Sequence, residues 1–241
     1  MSVLNVNNII CRHGLMTALR GVSLEIHAGE VLCVIGANGA GKTTLMRALA
    51  GAHIPDAGQI LFQGRDITRQ NAHTRVRGGI AMSPEGRRLF ADMTVRENLM
   101  IAGENGQNGD WTLDRVLTAF PQLVPLIDKQ AGGLSGGQRQ AAAIGRALMA
   151  NPDVLLLDEV SLGLSPAAVE GVYASLAEIR DTRVMAMVIV EQDLSRSLAF
   201  ADRILCMAEG EIKLAGSPAD FTKDQITDAY FGIQNEAPAD V

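Results

Sequence analysis

VLCVIGANGAGKTTLMRALAG, residues 31–51, places a glycine-rich loop between an apolar run and a helical pattern. Residues 36–43, GANGAGKT, fit the pattern G-x-x-x-x-G-K-[S/T], which is specific when a strand precedes it and a helix follows. Glycines let a backbone wrap closely around an anion, and successive amides at a helix N-terminus then bind that anion. The stretch therefore predicts a phosphate-binding loop on an α/β fold, with Gly51 ending its helix.

Two side chains of this loop carry the chemistry that binding a nucleoside triphosphate requires. Lys42 would supply a point charge between the β- and γ-phosphates, and the Thr43 hydroxyl would be a ligand for Mg²⁺. The residues expected to bind the nucleotide are Gly36, Ala37, Asn38, Gly39, Ala40, Gly41, Lys42, Thr43 and Thr44.

A second apolar run, VLLLDE at residues 154–159, ends in two carboxylates. Taken alone, such a run is as often a strand that merely reaches solvent as a functional one. Downstream of a phosphate-binding loop, the pattern favours chemistry. Asp158 would bind Mg²⁺ directly or through water, and Glu159 would be the general base for the attacking water.

LSGGQ, residues 134–138, precedes a long helical pattern and predicts a second anion-binding helix start. A single chain does not need two anion-binding sites for one γ-phosphate. The simplest interpretation is a head-to-tail dimer, in which the LSGGQ segment of one subunit contacts the nucleotide held by the other. The residues that would make this contact are Ser135, Gly136, Gly137 and Gln138.

The surrounding patterns indicate an α/β fold. Residues 3–30 alternate apolar and polar side chains, which indicates antiparallel strands, whereas apolar spacings of three to four between about 85 and 150 indicate helices. Ser217 and Pro218 are expected to open a last helix as its N-cap and first residue. We expect a P-loop (RecA-like) core with an N-terminal antiparallel β-region and an inserted helical subdomain.

The expected organisation is one domain over residues 1–232. Its core would comprise about 1–84 and 151–232, with the helical subdomain at about 85–150. The segment QNEAPADV has the composition of a disordered tail, so residues 233–241 are expected to be one.

Composition argues against several classes of protein. A net charge of −6 disfavours a nucleic-acid groove over the whole surface, so no nucleic-acid partner is expected. No apolar run approaches the ~18 residues that span a bilayer, and the N-terminus lacks a signal-peptide pattern. Three widely spaced cysteines fit buried thiols better than a disulfide framework or a zinc site, which favours a cytosolic protein.

The three motifs together resemble those of the nucleotide-binding subunits of ATP-binding-cassette (ABC) transporters. GANGAGKTT is similar to their Walker A motif, VLLLDE to Walker B and LSGGQ to the signature, and the resemblance extends from about residue 3 to 232. It implies hydrolysis of ATP with Mg²⁺, a second cassette subunit and a membrane partner. A soluble ABC ATPase without a transport role is the alternative, although such proteins usually carry a second cassette, a coiled-coil insertion or a basic extension.

Five positions depart from the general family pattern. Val160 and Leu164 stand where the family usually has a proline and an aspartate after the Walker B motif. Glu85 stands where many cassettes have a glutamine that binds Mg²⁺, and it is either catalytic and metal-binding or an acid paired with Arg87 or Arg88. His13 stands where an aromatic residue stacks on adenine, unless it is only an exposed loop histidine. Gln192 replaces the switch histidine, and because an amide donates without titrating, we expect it to act with Glu85 at the γ-phosphate.

These departures match one subgroup of the family. PEGRR, DE-x-SLGLSP, VEQ and DAYFG resemble the ATPase subunits of bacterial importers of branched-chain amino acids, although Val160 departs even from that pattern. The resemblance implies two cassettes, usually different chains, two membrane permeases and a periplasmic binding protein. It places the chain at the cytoplasmic face of the inner membrane, where basic and apolar residues near 85–98 would contact a permease helix. The solute rests on the resemblance alone, so urea, short amides or other solutes remain alternatives.

Overall fold

The computed structural model describes residues 2–231, which form two β-sheets and a set of helices. In chain order, the elements are β1 (Ser2–His13), β2 (Met16–His27), β3 (Val31–Ile35), α1 (Lys42–Leu49), β4 (Ala57–Phe62), β5 (Arg65–Asp66), α2 (Ala72–Gly78), β6 (Ile80–Ser83), α3 (Val95–Gly103), α4 (Leu113–Ala119), α5 (Gly136–Leu148), β7 (Val154–Asp158), α6 (Pro166–Asp181), β8 (Ala186–Val190), α7 (Leu194–Phe200), β9 (Arg203–Ala208), β10 (Glu211–Gly216) and α8 (Lys223–Phe231).

The N-terminal sheet is antiparallel and has the strand order β2-β1-β4-β5. Along β1, Leu4, Val6 and Ile9 are almost fully buried, because this sheet presents one apolar face to the core. The same apolar cluster includes Leu45 and Leu49 of α1, so the sheet packs against the helix that follows the phosphate-binding loop. The antiparallel β-region predicted from the alternating pattern is confirmed.

The central sheet has the order β10-β9-β3-β8-β7-β6, and it is parallel except for β10. All residues of β3, β7 and β8 are buried, as their continuous apolar sequences predict for strands covered on both faces. These three strands are neighbours, and their carboxyl ends meet at one edge of the sheet. Ligands of open parallel sheets bind at such an edge, so the topology brings together motifs far apart in sequence.

Helices fill the segment between β6 and β7. α3, α4 and α5 are each capped by a hydroxyl side chain, respectively Thr94, Thr112 and Ser135. α5 packs against α3 closely enough that a Cβ on Gly145 would lie 3.2 Å from the Leu99 side chain. Helices are therefore present where the apolar spacing predicts them, while the subdomain boundaries at about 85 and 150 remain a prediction.

The prediction that Ser217 and Pro218 open the last helix is wrong. Ser217 caps a short 3₁₀ turn over Pro218–Asp220, and Phe221 then adopts an extended conformation with φ −128° and ψ 145°. The Phe221 ring packs against the large apolar core, which accounts for the interruption. Thr222 begins the helix instead, because its hydroxyl accepts from Gln225 N–H at 3.2 Å. The expected tail at 233–241 lies outside the described residues.

Two expectations from composition can be compared with the structure. Cys11, Cys33 and Cys206 are free and buried, and burial raises the pKa of their thiols to about 11 or 12, as expected for unreactive core residues. Within residues 2–231, no helix combines the length and the apolar character needed to cross a bilayer.

Candidate active site

The phosphate-binding loop connects the end of β3 to α1. Gly36, Gly39 and Gly41 have φ values of 147°, 84° and 103°, which glycine tolerates best. A Cβ on Gly41 would lie 2.8 Å from the Ala18 carbonyl oxygen, so the loop also approaches the N-terminal sheet too closely for a larger residue. No side chain caps the start of α1. The first amides of this helix are therefore available to a phosphate.

Lys42 reaches back across the loop. Its side chain is 4% exposed, and Nζ donates to the carbonyl oxygens of Gly36 at 2.6 Å and Ala37 at 2.9 Å. Burial lowers the pKa of Lys42, while the carboxylates of Glu159 and Asp158 oppose that shift. A buried cation thus lies between the phosphate-binding loop and the acid pair, which is the position that a triphosphate requires.

A cleft of about 610 Å³ opens above this loop, which is a suitable size for a nucleotide. The expected nucleotide-binding residues that line it are Asn38, Gly39, Gly41, Lys42, Thr43, Thr44 and His13. His13 Nε2 lies 3.2 Å from Thr44 Oγ1, and its ring centroid lies 4.9 Å from that of His53. The structure therefore places His13 at the mouth of the cleft, in contact with the helix start.

The acid pair lies at the end of β7, beside the cleft. Asp158 is 2% exposed, and neither of its carboxylate oxygens has a hydrogen-bond partner among the described residues. Burial, reinforced by the charges of Glu159 and Glu85, raises the pKa of Asp158 to about 6. Glu159 lines the cleft and adopts a left-handed conformation with φ 53°, which is a strained geometry often found at functional sites.

The surroundings of the Asp158 carboxylate indicate whether the carboxyl edge of the central sheet could bind Mg²⁺. Two buried oxygens without partners are costly unless a cation or water satisfies them. No group of three or more histidine, cysteine, aspartate or glutamate side chains in residues 2–231 could hold a metal alone. Mg²⁺ characteristically takes one or two protein oxygens and completes its shell with water and phosphate. Asp158 and the Thr43 hydroxyl fit that requirement.

Gln192 and Glu85 each lie next to one member of the acid pair. Gln192 Nε2 donates to Glu159 Oε1 at 2.9 Å, so the amide directly contacts the expected general base. Glu85 and Asp158 line a neighbouring cavity of about 290 Å³ together with Arg88. The structure thus brings Gln192 to Glu159 and Glu85 to Asp158.

Arg87 is bound elsewhere. Its Nε donates to Gln140 Oε1 and its Nη2 donates to the Leu162 carbonyl oxygen, both at 2.9 Å. The guanidinium therefore joins the loop that carries Glu85 to α5 and to the loop after Glu159. Sequence reasoning considered Arg87 as a partner of Glu85 or as part of the permease-binding surface and missed this link, because its acceptors lie 53 and 75 residues away.

The signature residues lie apart from the cleft. Ser135 and Gln138 form a capping box at the start of α5, with Ser135 N–H donating to Gln138 Oε1 at 2.9 Å. A Cβ on Gly137 would lie 2.7 Å from the Ala168 side chain, so the glycine permits close packing against α6. None of the described residues that line the P-loop cleft belongs to residues 134–138.

Glu191 is a buried residue near the site that sequence reasoning missed. The sequence analysis contains it only within the motif VEQ, yet it is buried and accepts four hydrogen bonds. The sequence did contain one signal. This carboxylate directly follows a strand of five buried residues, so the next position is expected to be buried as well.

This arrangement places the protein in the class of P-loop ATPases. Comparison with known proteins narrows the class: the ABC transporter family model matches residues 19–161, more than half of the chain, and the chain belongs to that family. The high-affinity branched-chain amino acid transport ATP-binding protein BraG of Pseudomonas aeruginosa is 38% identical over 95% of this chain and 100% of its own length. The probable branched-chain amino acid transport ATP-binding protein LivF of Archaeoglobus fulgidus is 34% identical over 81% of this chain and 84% of its own length.

Solved structures agree with this assignment. A nucleotide-free ATP-binding cassette from an ABC transporter is 28% identical, superposes with a TM-score of 0.82 and matches 95% of both chains. The ADP conformation of an ABC transporter cassette, also 28% identical, superposes with a TM-score of 0.78 and matches 95% of both chains. As an ATP-binding subunit of this family, the chain is an ATPase.

Proposed function

We propose that this chain is the ATP-hydrolysing subunit of a bacterial importer of branched-chain amino acids and acts through membrane permeases. BraG and LivF, which support the solute, are named as branched-chain amino acid transport proteins. The motifs PEGRR and VEQ, which depart from the general family pattern, support the same subgroup. In this proposal the chain lies at the cytoplasmic face of the inner membrane, and a periplasmic binding protein acts on it indirectly.

The proposed hydrolysis uses the residues at the carboxyl edge of the central sheet. The loop amides and Lys42 bind the phosphates, and His13 packs beside the adenine. Thr43, Asp158 and Glu85 would hold Mg²⁺, which when bound neutralises charge on the β- and γ-phosphates. The proposed catalytic residues are Glu159, which activates water as general base, together with Gln192 and Glu85.

The observation that carries the proposal is the separation of the LSGGQ segment from the P-loop cleft. Within the described chain, residues 134–138 contribute no lining to the cleft that contains Lys42 and Glu159. A second cassette arranged head to tail would bring its own LSGGQ to this nucleotide. In the proposed importer that subunit is a paralogous chain, and each ATP lies between the two.

A surface beside Glu85 provides the proposed contact with the permeases. Phe90 is 50% exposed, and Arg88 is exposed beside it. Such a mixed basic and apolar surface suits a short cytoplasmic helix of a permease. Arg87 links this loop to the Leu162 carbonyl oxygen, so movement of the contact would reach the loop that follows Glu159.

Relatives with other solutes supply the second candidate. The sulfate/thiosulfate import ATP-binding protein CysA of Caulobacter vibrioides is 34% identical over 93% of this chain. An importer of another solute, such as urea or an amide, would use the same ATPase, because the cassette does not touch the solute. A soluble ABC ATPase without permeases is the less favoured alternative.

Reconstitution of the complete importer tests the proposal. The chain, its paralogue, both permeases and the binding protein are placed in liposomes, and phosphate release is measured with leucine, urea or sulfate. We expect leucine to stimulate turnover, and we expect Glu159→Gln to retain ATP while losing about 100-fold or more in turnover. Stimulation by another solute would overturn the proposed solute. Failure of the chain to co-purify with any permease in detergent would overturn the transport role.

A further inference from the structure

A buried carboxylate lies directly behind the contact between Glu159 and Gln192. Glu191 is 1% exposed, and its Oε1 accepts from Ser161 N–H at 3.0 Å and from the Tyr173 hydroxyl at 2.7 Å. Its Oε2 accepts from Ser161 Oγ at 2.6 Å and from Gln192 N–H at 3.2 Å. Each oxygen therefore receives one backbone N–H and one hydroxyl.

Three of these four donors belong to the two loops that carry the hydrolytic pair, and the fourth, the Tyr173 hydroxyl, belongs to α6. Ser161 lies two residues after Glu159, and Gln192 directly follows Glu191. Glu159 N–H still donates to the Val190 carbonyl oxygen of β8 at 3.1 Å, but Glu159 itself has left the extended conformation, with φ 53°. The Glu191 carboxylate joins the loop after β7 to the loop after β8.

Four hydrogen-bond donors converge on the Glu191 carboxylate. Burial and the charge of Glu191 raise the pKa of Tyr173 well above its ordinary value, so the phenol remains a donor. Ser161 N–H and Gln192 N–H are also donors only, and their positions are fixed by the backbone. Hydrogen bonds to an ionised acceptor are about twice as strong as neutral ones, which suits a group that must hold two loops in register.

From this geometry we infer that Glu191 is a positioning residue for ATP hydrolysis. Its carboxylate fixes the backbone at Ser161 and at Gln192, and thereby sets the Gln192 amide against the Glu159 carboxylate at the cleft. The inference rests on the proposed role of Glu159 as general base. Glu191 does not touch the nucleotide cleft, so its contribution acts through its two neighbours.

Replacement by glutamine gives a sharp prediction. In Glu191→Gln, one oxygen becomes an NH₂ group, which cannot accept a hydrogen bond. The hydroxyls of Ser161 and Tyr173 can rotate away, but each carboxylate oxygen also faces a fixed N–H. Whichever way the new amide turns, it confronts either Ser161 N–H or Gln192 N–H, so one of the two loops loses its anchor.

Steady-state kinetics of the full-length chain test the inference. Val172→Ala is the matched control, because Val172 is buried on the same helix as Tyr173 and its apolar side chain gives no hydrogen bond to Glu191. We expect Glu191→Gln to lower kcat by about tenfold or more while the KM for ATP changes less than about twofold. Val172→Ala is expected to lower thermal stability and to keep kcat within about twofold of wild type.

The outcomes separate this inference from the proposed function. Full turnover in Glu159→Gln would overturn the general-base role and the proposed function with it. Loss of turnover in Glu159→Gln combined with normal kcat in Glu191→Gln would overturn the positioning role alone, as would equal losses of kcat in Glu191→Gln and Val172→Ala. If Glu191→Gln does not fold, Ser161→Ala decides. It is expected to lower kcat by about threefold or more, and normal kcat would overturn the inference.

Discussion

At the scale of a single residue, the buried Asp158 carboxylate lowers the stability of the folded protein at neutral pH, and it is also one of the acids proposed to take part in the chemistry. Its carboxylate is buried without a hydrogen-bond partner in the described residues, and its pKa is raised to about 6. The folded protein therefore binds this proton more tightly than the unfolded chain, whose aspartates titrate near pH ~3.9. The stabilisation from protonation is complete below the unfolded pKa and is lost as the pH rises through 6.

We predict that Asp158→Asn gains stability over the wild type as the pH rises. A shift from about 3.9 to about 6 corresponds to about 3 kcal/mol, at about 1.4 kcal/mol per pKa unit. Urea unfolding of the nucleotide-free protein at a series of pH values from 4 to 8 measures the difference. The gap between variant and wild type should open through pH 6 and stay constant above pH 7. A gap that does not change with pH would contradict the account.

Gln192 provides the second prediction at this scale. Its amide donates to Glu159 and does not titrate, so removal of the side chain should lower turnover by about tenfold or more. Gln192→His should retain more activity than Gln192→Ala, but it introduces a group that ionises near pH ~6.5 and should add a step to the pH profile of turnover. Normal turnover in Gln192→Ala would show that the side chain has no part in hydrolysis.

Sequence could identify some of these residues and not others. The loop glycines, Lys42 and Glu159 lie in motifs whose spacing requires a particular chemistry, and the structure places them around one cleft. Glu191 could not be assigned in the same way, because its donors Ser161 and Tyr173 lie 30 and 18 residues away. A carboxylate after a strand becomes informative only when its burial and its partners are known.

At the scale of elements, Arg75 fixes the end of the helix that follows the phosphate-binding loop. Arg75 is 1% exposed, and its guanidinium donates to the carbonyl oxygens of Ala48 and Leu49 at the end of α1 and to those of Ile67 and Thr68. Burial lowers the pKa of Arg75 to about 10, so the group is still charged at neutral pH. Cationic groups at a helix C-terminus satisfy its last carbonyls.

We predict that Arg75→Ala destabilises the protein by about 3 kcal/mol or more, because it leaves buried carbonyl oxygens without donors. Arg77→Ala on the same helix is the control, since Arg77 is exposed and should cost less than about 0.5 kcal/mol. The measurement is the free energy of unfolding in urea. Similar values for the two variants would contradict the capping role.

Elements also show where local sequence signals fail. Ser217 and Pro218 have the sequence of a helix start, and they do cap one turn, but the Phe221 ring docks into the core and interrupts the helix. Gly51 was predicted correctly as the C′ residue of α1, directly after the C-cap Ala50, and its φ of 74° fits that position. The conformation of Gly51 depends on its own helix, whereas that of Phe221 depends on packing against core residues that are distant in the sequence.

At the scale of the whole molecule, the strand order brings the residues of the site together. β3, β8 and β7 are adjacent, so the phosphate-binding loop, Gln192 and Asp158 meet although Gln192 follows Gly36 by 156 residues in the chain. Motif recognition could predict that these segments cooperate, but strand pairing and the packing of the N-terminal sheet over the loop depend on long-range contacts. The fold class could be predicted, whereas the hydrogen bond from Gln192 to Glu159 required coordinates.

The central claim is that the chain hydrolyses ATP, with Glu159 as general base, at a site completed by the LSGGQ segment of a second subunit. The specific ATPase activity of the full-length chain, measured from nanomolar to micromolar concentration with saturating Mg²⁺ and ATP, tests it most directly. In an equimolar mixture with the paralogous cassette, we predict that activity per subunit rises with concentration to a plateau as dimers form, whereas the mixture with Glu159→Gln stays well below it throughout. A wild-type activity per subunit that is the same at every concentration and does not increase when the paralogous cassette is added would contradict the account.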